Sequence, residues 1–205
     1  MVSLIDYGAG NVRSVHKSLT AAGANVKLVS DPDLLSISGA VVLPGVGSFD
    51  DCINALQKQE LLEAIRSFIA TGGPFMGICV GYQALFEGSD EFESQAKGFG
   101  IFEGRVRRLP DSGEHKVPQI GWNAVEVLQD ECPIFKGINS GDYFYFVHSY
   151  YPQPSDESIV ATTTDHGVSF ASSIWHENVY ATQFHPEKSQ KAGMKVLKNF
   201  IDLMS

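Results

Sequence analysis

Cysteine is scarce in this chain, and its spacing is as informative as its number. The sequence has three cysteines, Cys52, Cys79 and Cys132. Their number is odd and their spacing is wide, so the pattern indicates neither a disulfide framework nor a cysteine-rich metal site. It favours a reducing compartment, and we therefore expect a cytoplasmic protein that binds no metal.

Positively charged residues are also fewer than negatively charged ones. The chain carries 15 Lys and Arg against 24 Asp and Glu, which gives a formal net charge of −9. Because nucleic-acid binding depends on a basic field, this balance argues against a DNA or RNA partner. Arg105, Arg107 and Arg108 form the one dense basic run. A solvated strand face is the simpler interpretation of that run, and a docking patch for an acidic partner is the alternative.

Long hydrophobic runs are missing as well. No stretch approaches the roughly 18 apolar residues that a membrane span requires, and Asp6 interrupts the first apolar run too early for a signal peptide. We find no repeat and no low-complexity segment. With 205 residues and 43% hydrophobic content, the sequence predicts one domain over residues 1–205, with no membrane partner.

Strand-like and helix-like patterns divide the chain near residue 88. Before it, apolar runs that are typical of buried strands alternate with helical periodicity, and the strands are predicted at 2–6, 24–29, 39–43 and 74–78. After it, strand-like runs follow one another at 100–109, 116–128, 143–151, 158–164 and 169–184, before an amphipathic helix at 189–204. These patterns predict an α/β fold with a central, mostly parallel sheet flanked by helices and an antiparallel extension in the C-terminal half.

Residues 76–83 have the form of a nucleophile elbow. Cys79 stands between Gly77 and Gly81, where a strand pattern changes to a helical one. We expect a helix at 82–87 ended by Gly88, with Cys79 near its N-terminus and the Val80 N–H directed at an oxyanion. The alternative is a small buried cysteine without chemistry.

The loop at 44–50 is rich in glycine and follows a fully apolar strand. If that strand lies beside the elbow strand in a parallel sheet, the loop amides, including that of Val46, complete an oxyanion hole next to Cys79. An ordinary tight turn is the other interpretation.

A nucleophilic cysteine needs a histidine, and the histidine needs a carboxylate to orient it. His185 directly follows a strand pattern, and Pro186 holds it two residues from Glu187. His148 lies in an aromatic strand and is predicted to be a buried, hydrogen-bonded histidine. Solvated positions are expected for His16, His115, His166 and His176.

Taken together, the motifs at 44–47, 77–83 and 184–187 resemble those of the class I glutamine amidotransferases, in the family's order. The resemblance implies that Cys79 attacks the side-chain amide of glutamine, that His185 transfers protons and that Glu187 orients His185. It implies no cofactor.

Within that family, the stretches at 6–11, 121–123, 145–150 and 185–189 resemble the glutaminase subunits of imidazole glycerol phosphate synthases, which supply ammonia to a (β/α)-barrel synthase subunit in a heterodimer. The resemblance implies that the glutamine is held by Gly47, Gln83, Glu91, His148, Ser149 and Tyr150. It implies that the partner is faced by Asn11, Trp122, Asn123, Tyr145 and Lys188. Asp90 or Glu93 can replace Glu91 in this role, because all three lie in one acidic loop.

Three alternatives stay open from the sequence. The glutaminase subunit of pyridoxal phosphate synthase shares the triad, although residues 121–123 and the tyrosine-rich strand favour histidine biosynthesis. A non-catalytic regulatory subunit would not need an intact Cys79, His185 and Glu187. A peptidase or chaperone of related α/β fold would not need the His-Pro-Glu unit.

Overall fold

Five parallel strands form one side of the main sheet, from one edge to its middle. The computed structural model describes residues 1–9, 11–111, 113 and 115–204. Within them, the main sheet has eight strands, of which the first five are parallel and the last three antiparallel. In spatial order they are β2 (Val26–Val29), β1 (Val2–Ile5), β3 (Ala40–Gly45), β4 (Phe75–Cys79), β13 (Val179–Thr182), β12 (Ser169–His176), β11 (Val160–Asp165) and β8 (Glu126–Val127).

Helices enclose the central strands. Those in the described ranges are α1 (Val12–Ala21), α2 (Phe49–Lys58), α3 (Leu61–Ala70), α4 (Val80–Gln83) and α5 (Gln190–Asp202). Every residue of β1, β3, β4 and β13 is buried, as expected for parallel strands covered on both faces. The helices supply the cover through apolar stripes, such as Val15 and Leu19 of α1. None of these helices combines the length and the apolar character that crossing a membrane requires.

Two small sheets lie beside the main one. A three-stranded sheet contains β5 (Gly88–Ser89), β6 (Gly104–Arg108) and β10 (Tyr150–Pro154). A two-stranded antiparallel sheet joins β7 (Gln119–Ala124) to β9 (Tyr143–His148), and we call it the β7–β9 ribbon. The predicted α/β class, the mostly parallel central sheet and the antiparallel C-terminal extension are therefore confirmed.

The predicted helix at 82–87 is wrong, and so is the role of Gly88 as its end. The helix begins at Val80 and ends at Gln83, while Gly88 belongs to β5. In a longer helix, the carbonyls of Ala84 and Leu85 would accept from residues four positions further on. Instead, Ala84 O accepts from Phe99 N at 2.7 Å and Leu85 O accepts from the N–H of residue 101 at 2.9 Å.

Candidate active site

Cys79 occupies a strained turn. It is the last residue of β4, it is 4% exposed, and its backbone has φ 55° and ψ −108°. A positive φ is unusual for a residue with a Cβ, and such strain concentrates at functional sites. The turn sends the chain directly into α4, so the sulfur lies where strand and helix meet.

The glycines around Cys79 allow two backbones to touch. A Cβ on Gly81 would lie 2.1 Å from Leu43 O, and one on Gly77 would lie 2.6 Å from Gly81 O. A Cβ on Gly45, in the neighbouring strand, would lie 2.7 Å from Gly81 N. A side chain at Gly81 or Gly45 would therefore push the turn away from β3, and a side chain at Gly77 would distort the turn itself.

The predicted oxyanion loop follows the strand next to the elbow. β3 and β4 are parallel neighbours, and Gly45 is the Cα partner of Cys79. Val46 and Gly47 come directly after it and line one cavity with Cys79 and Val80. The predicted donors thus lie beside the predicted nucleophile. Because α4 has only four residues, its dipole contributes less than a long helix would.

β13 is the neighbour of β4 on the side opposite β3. His185 and Glu187 follow β13 in the chain. The Nδ1 of His185 and Oε1 of Glu187 are 2.8 Å apart, and their side chains are 2% and 0% exposed. The backbone is held from both directions, because His185 N donates to Tyr145 O at 2.9 Å and Ser189 Oγ donates to His185 O at 2.6 Å. Because Nδ1 faces the carboxylate of Glu187, it carries a hydrogen, and Nε2 is the nitrogen available for proton transfer.

The electrostatics favour a charged His185. Burial alone lowers its pKa, but Cys79 and then Glu187 outweigh burial and raise the pKa from 6.5 to about 10. Nε2 of His185 meets the geometry of a hydrogen bond with no atom of the described residues, although the sulfur is near enough to interact with the ring. A protonated imidazole beside the sulfur is the state of His185 that this environment stabilises.

A cavity of about 370 Å³ opens over the sulfur. It is lined by all six residues predicted to hold the substrate, which are Gly47, Gln83, Glu91, His148, Ser149 and Tyr150. Lys188, predicted to face the partner, also lines it. Pro118 and Val147 complete the wall and were not anticipated. Pro118 carries no chemical signal in the sequence.

The acidic loop offers one carboxylate to this cavity. Asp90 is exposed and pairs with Arg107 and Arg105, which hold its pKa below its usual range. Glu91 is half-buried, and Oε2 accepts from Phe49 N at 2.7 Å. Burial raises the pKa of Glu91, and nearby acidic side chains add to that effect. Glu93 is exposed and does not line the cavity, so Glu91 is the member of this loop that reaches it.

His148 differs from His185 in its partner. It is 6% exposed, and its Nδ1 lies 2.9 Å from Tyr150 O, which can only accept, so Nδ1 is the donor. Burial lowers the pKa of His148 to about 3. The ring is therefore neutral at physiological pH, as expected for the buried, hydrogen-bonded histidine predicted from the sequence.

The residues predicted to face a partner cluster mainly on the β7–β9 ribbon. Trp122 and Tyr145 are cross-strand partners with ring centroids 6.1 Å apart, and Lys188 Nζ lies 5.7 Å from the centre of the Tyr145 ring. Asn123 donates from Nδ2 to Asp165 O at 2.7 Å. Asn11 precedes α1, which packs against the turn that contains Lys188. Gly10, in the resembling stretch 6–11, lies outside the described residues.

Sequence reasoning missed two sets of residues. Ile120 and Tyr143 are 64% and 60% exposed on the ribbon, and the period-two pattern around Trp122 could have indicated Ile120. Gln183 is fully buried with Nε2 3.6 Å from Cys79 Sγ. Its signal was an amide at the end of an apolar run, two residues before His185.

The assembled groups suit acyl transfer. The thiol and the loop that carries the backbone amides line one cavity, and an imidazole oriented by a carboxylate interacts with the thiol. Together these groups are the set required for attack on a carbonyl carbon. Among the residues that the structure describes, no group of three or more His, Cys, Asp or Glu side chains is arranged to hold a metal ion.

Comparison with known proteins agrees with this chemistry. The family model for glutamine amidotransferase class-I matches residues 3–203. The imidazole glycerol phosphate synthase subunit HisH of Syntrophotalea carbinolica is 46% identical over 99% of this chain and 100% of its own length. The subunit HisH of Geobacter sulfurreducens is 44% identical over 97% of both chains.

A solved structure shares the fold. PurLQS from Thermotoga maritima aligns with a TM-score of 0.79 at 19% identity, over 100% of this chain and 98% of the other. At that identity the likeness concerns the fold alone. The family match and the two full-length relatives together show that this chain belongs to the class I glutamine amidotransferases and, within them, to the family of imidazole glycerol phosphate synthase subunit HisH.

Proposed function

We propose that this chain is the glutaminase subunit of an imidazole glycerol phosphate synthase, and that it hydrolyses glutamine to glutamate and ammonia with Cys79, His185 and Glu187. The observation that carries the proposal is the buried His185–Glu187 pair beside a cysteine on a strained turn. The names of the full-length relatives support the assignment to this synthase over the pyridoxal phosphate branch of the family.

In the first half-reaction, the Cys79 thiolate attacks the side-chain carbonyl carbon of glutamine and forms a C–S bond. The raised pKa of His185 supports an imidazolium at this stage, so His185 protonates the departing nitrogen from Nε2 and ammonia leaves. The product is a thioester. Glu187 keeps Nδ1 protonated and stabilises the positive charge while it exists.

In the second half-reaction, water attacks the thioester and His185, now neutral, takes its proton. The C–S bond breaks, glutamate is released and the thiolate is regenerated. Both half-reactions pass through a tetrahedral oxyanion, for which the amides of Val46 and Val80 are the proposed donors. One such donor is worth about 3–4 kcal/mol of transition-state stabilisation.

The cavity supports recognition of a free amino acid. Glu91 is the carboxylate on its wall, and it fits the positively charged α-amino group of glutamine. The backbone at residues 148–150 and Gly47 provides neutral hydrogen-bonding groups beside it. Gln83 also lines the cavity, but its Nε2 already donates to Tyr150 O and Gln183 Oε1. Its contribution is therefore to hold these neighbouring groups in place.

The proposed partner is a (β/α)-barrel synthase subunit in a heterodimer, which uses the ammonia to make imidazole glycerol phosphate in a lyase-type step. Ile120, Trp122 and Tyr143 expose apolar surface on the ribbon, and such clusters are typical of interaction sites. Tyr145 O, on the same ribbon, bonds His185 N, so docking is coupled to the triad. Three free cysteines support a cytoplasmic location.

The test is the Cys79→Ala variant, assayed with the synthase subunit that co-purifies with the chain. We expect no glutamine-dependent turnover and unchanged ammonia-dependent turnover, because only the nucleophile is removed. Glutamate release is also measured for the wild type alone, with the partner, and with the partner plus its ligand. These rates report how partner docking is coupled to glutaminase activity. Glutaminase activity in Cys79→Ala would disprove the assigned nucleophile, and wild type that lacks glutaminase activity in all three states would disprove the function.

A further inference from the structure

The mechanism above leaves one buried amide beside the sulfur without a role. Gln183 follows β13 directly, has no exposed surface, and places Nε2 3.6 Å from Cys79 Sγ. A distance of this size is normal for a hydrogen bond to sulfur. The amide is neutral at every pH of interest, so it is able to donate to the sulfur without moving a proton.

The orientation of the Gln183 amide follows from a backbone carbonyl. Tyr150 O can only accept, and Gln83 Nε2 donates to it at 2.9 Å. The other hydrogen of the same NH₂ group faces Gln183 Oε1 at 3.2 Å. Since this interaction requires the oxygen of Gln183 to face Gln83, the NH₂ of Gln183 faces the sulfur.

We propose that Gln183 is a further catalytic residue, which donates a hydrogen bond to the Cys79 thiolate, and that Gln83 is a positioning residue that keeps the Gln183 amide in the donating orientation. The inference rests on the proposed function in that it takes Cys79 as the nucleophile. It adds a second stabilising group for the sulfur besides His185.

The physical need for such a donor comes from burial. Cys79 is 4% exposed, so its sulfur meets little solvent, and a charged sulfur with too few hydrogen bonds is costly in a buried site. A neutral N–H donor stabilises the thiolate. Its hydrogen bond to the sulfur weakens as the C–S bond forms and the charge moves to the substrate oxygen. The same chain of bonds connects the substrate-binding backbone at Tyr150 to the sulfur through two side chains.

The sulfur can be tested without glutamine or partner. The rate at which iodoacetamide alkylates Cys79 is measured against pH, with the modified peptide identified by mass spectrometry so that Cys52 and Cys132 do not interfere. The variants are Gln183→Leu, which removes the donor, Gln183→Glu, which places a carboxylate at the same point, and Gln83→Leu, which releases the amide. Ser173→Ala is the matched control, because it removes a buried hydroxyl that bonds Thr162 instead.

We expect Gln183→Leu to move the midpoint of the pH profile up by about one unit and to slow alkylation at neutral pH about tenfold, the effect of losing one hydrogen bond to a charged group. Gln183→Glu should shift the midpoint further, and Gln83→Leu should shift the midpoint less but in the same direction. Ser173→Ala should match the wild type.

An unchanged midpoint in folded Gln183→Leu overturns the role of Gln183. If that variant does not fold, Gln183→Glu decides instead, since its shape is conserved, and an unchanged midpoint there has the same meaning. A wild-type profile in Gln83→Leu overturns the positioning role. Wild-type protein that fails to hydrolyse glutamine while these shifts occur would disprove the proposed function and the catalytic role of Gln183, and would leave only the hydrogen bond from Gln183 to Cys79 standing.

Discussion

Cys79 ends β4 and His185 follows the neighbouring strand β13 in the centre of the main sheet, whereas His148, which lines one cavity with Cys79, ends a strand of the two-stranded β7–β9 ribbon. The central wall is built by backbone contact that admits no Cβ at Gly81. The ribbon instead exposes large apolar side chains, with Ile120 at 64% and Trp122 at 45%. Tight packing thus holds the proposed nucleophile, and exposed apolar surface lies on the ribbon that we propose as the docking site.

The two buried histidines make the contrast sharper. Each uses Nδ1 as a donor, but His185 donates to the Glu187 carboxylate and His148 to a backbone carbonyl. The pKa of His185 is raised and the pKa of His148 is lowered. Burial is similar for both rings, so the charge of the neighbouring groups, including Cys79, decides which histidine is protonated.

The largest difference should appear in catalysis. His185→Ala should lower glutaminase turnover by about 10⁴-fold or more, and Glu187→Gln should cost about one order of magnitude less, because the carboxylate orients the base without transferring the proton. His148→Asn, whose amide can still donate to Tyr150 O, should cost less than about tenfold. Steady-state kinetics with the partner present measures all three. Equal losses at His185 and His148 would contradict the different roles of the two histidines.

Next in size is the effect of a single methyl group on stability. Gly81→Ala should destabilise the fold by about 3 kcal/mol or more, since its Cβ would overlap Leu43 O at 2.1 Å. Ile120→Ala on the ribbon should change the free energy of unfolding by less than about 0.5 kcal/mol. Urea denaturation of both variants gives the comparison. A Gly81→Ala protein of wild-type stability would show that the elbow tolerates separation from β3.

For partner binding, we expect the ribbon to matter most, although substitutions there change stability little. Trp122→Ala should weaken binding to the synthase subunit by about 10- to 100-fold, the loss typical of a central aromatic at an interface, while its stability stays near that of the wild type. Leu128→Ala is the control, because Leu128 is 52% exposed outside the ribbon. Titration calorimetry with the purified subunits measures the affinities. If both variants bind equally, the ribbon is not the docking surface.

The smallest effects concern pH. For His148, the unfolded state takes up a proton below pH 6.5 while the folded state stays neutral to about pH 3, so stability falls as pH falls through that window. For His185, the folded state keeps a proton that the unfolded state loses near pH 6.5, so its contribution is complete below pH 6.5 and is lost as pH rises above it.

His148→Asn should therefore flatten the acidic side of the stability profile, and His185→Gln the alkaline side, each by on the order of 1 kcal/mol per pH unit. Unfolding free energies between pH 4 and 9 give the profiles. The same flattening from both variants would contradict the opposite pKa shifts.

Local patterns predicted much of the fold and of the site. Gly77, Cys79 and Gly81 are close in the chain, so their spacing alone indicated the turn, and the two-residue separation of His185 and Glu187 indicated their hydrogen bond. Apolar runs placed the central strands. The helix at 82–87 was wrong because its carbonyls accept from residues 99 and 101, and helical periodicity carries no information about such competitors.

The sequence by itself determined which reactive groups exist, and which of them are held together by a few bonds of backbone. Tertiary structure alone decided that Glu91 and not Glu93 reaches the cavity, that the pKa of His148 is lowered while that of His185 is raised, and that Gln183 faces Cys79. Gln83 and Gln183 are 100 residues apart and meet at 3.2 Å. Their contact exists because β13 pairs with β4, and strand order is set by how the whole apolar core packs, which no local spacing encodes.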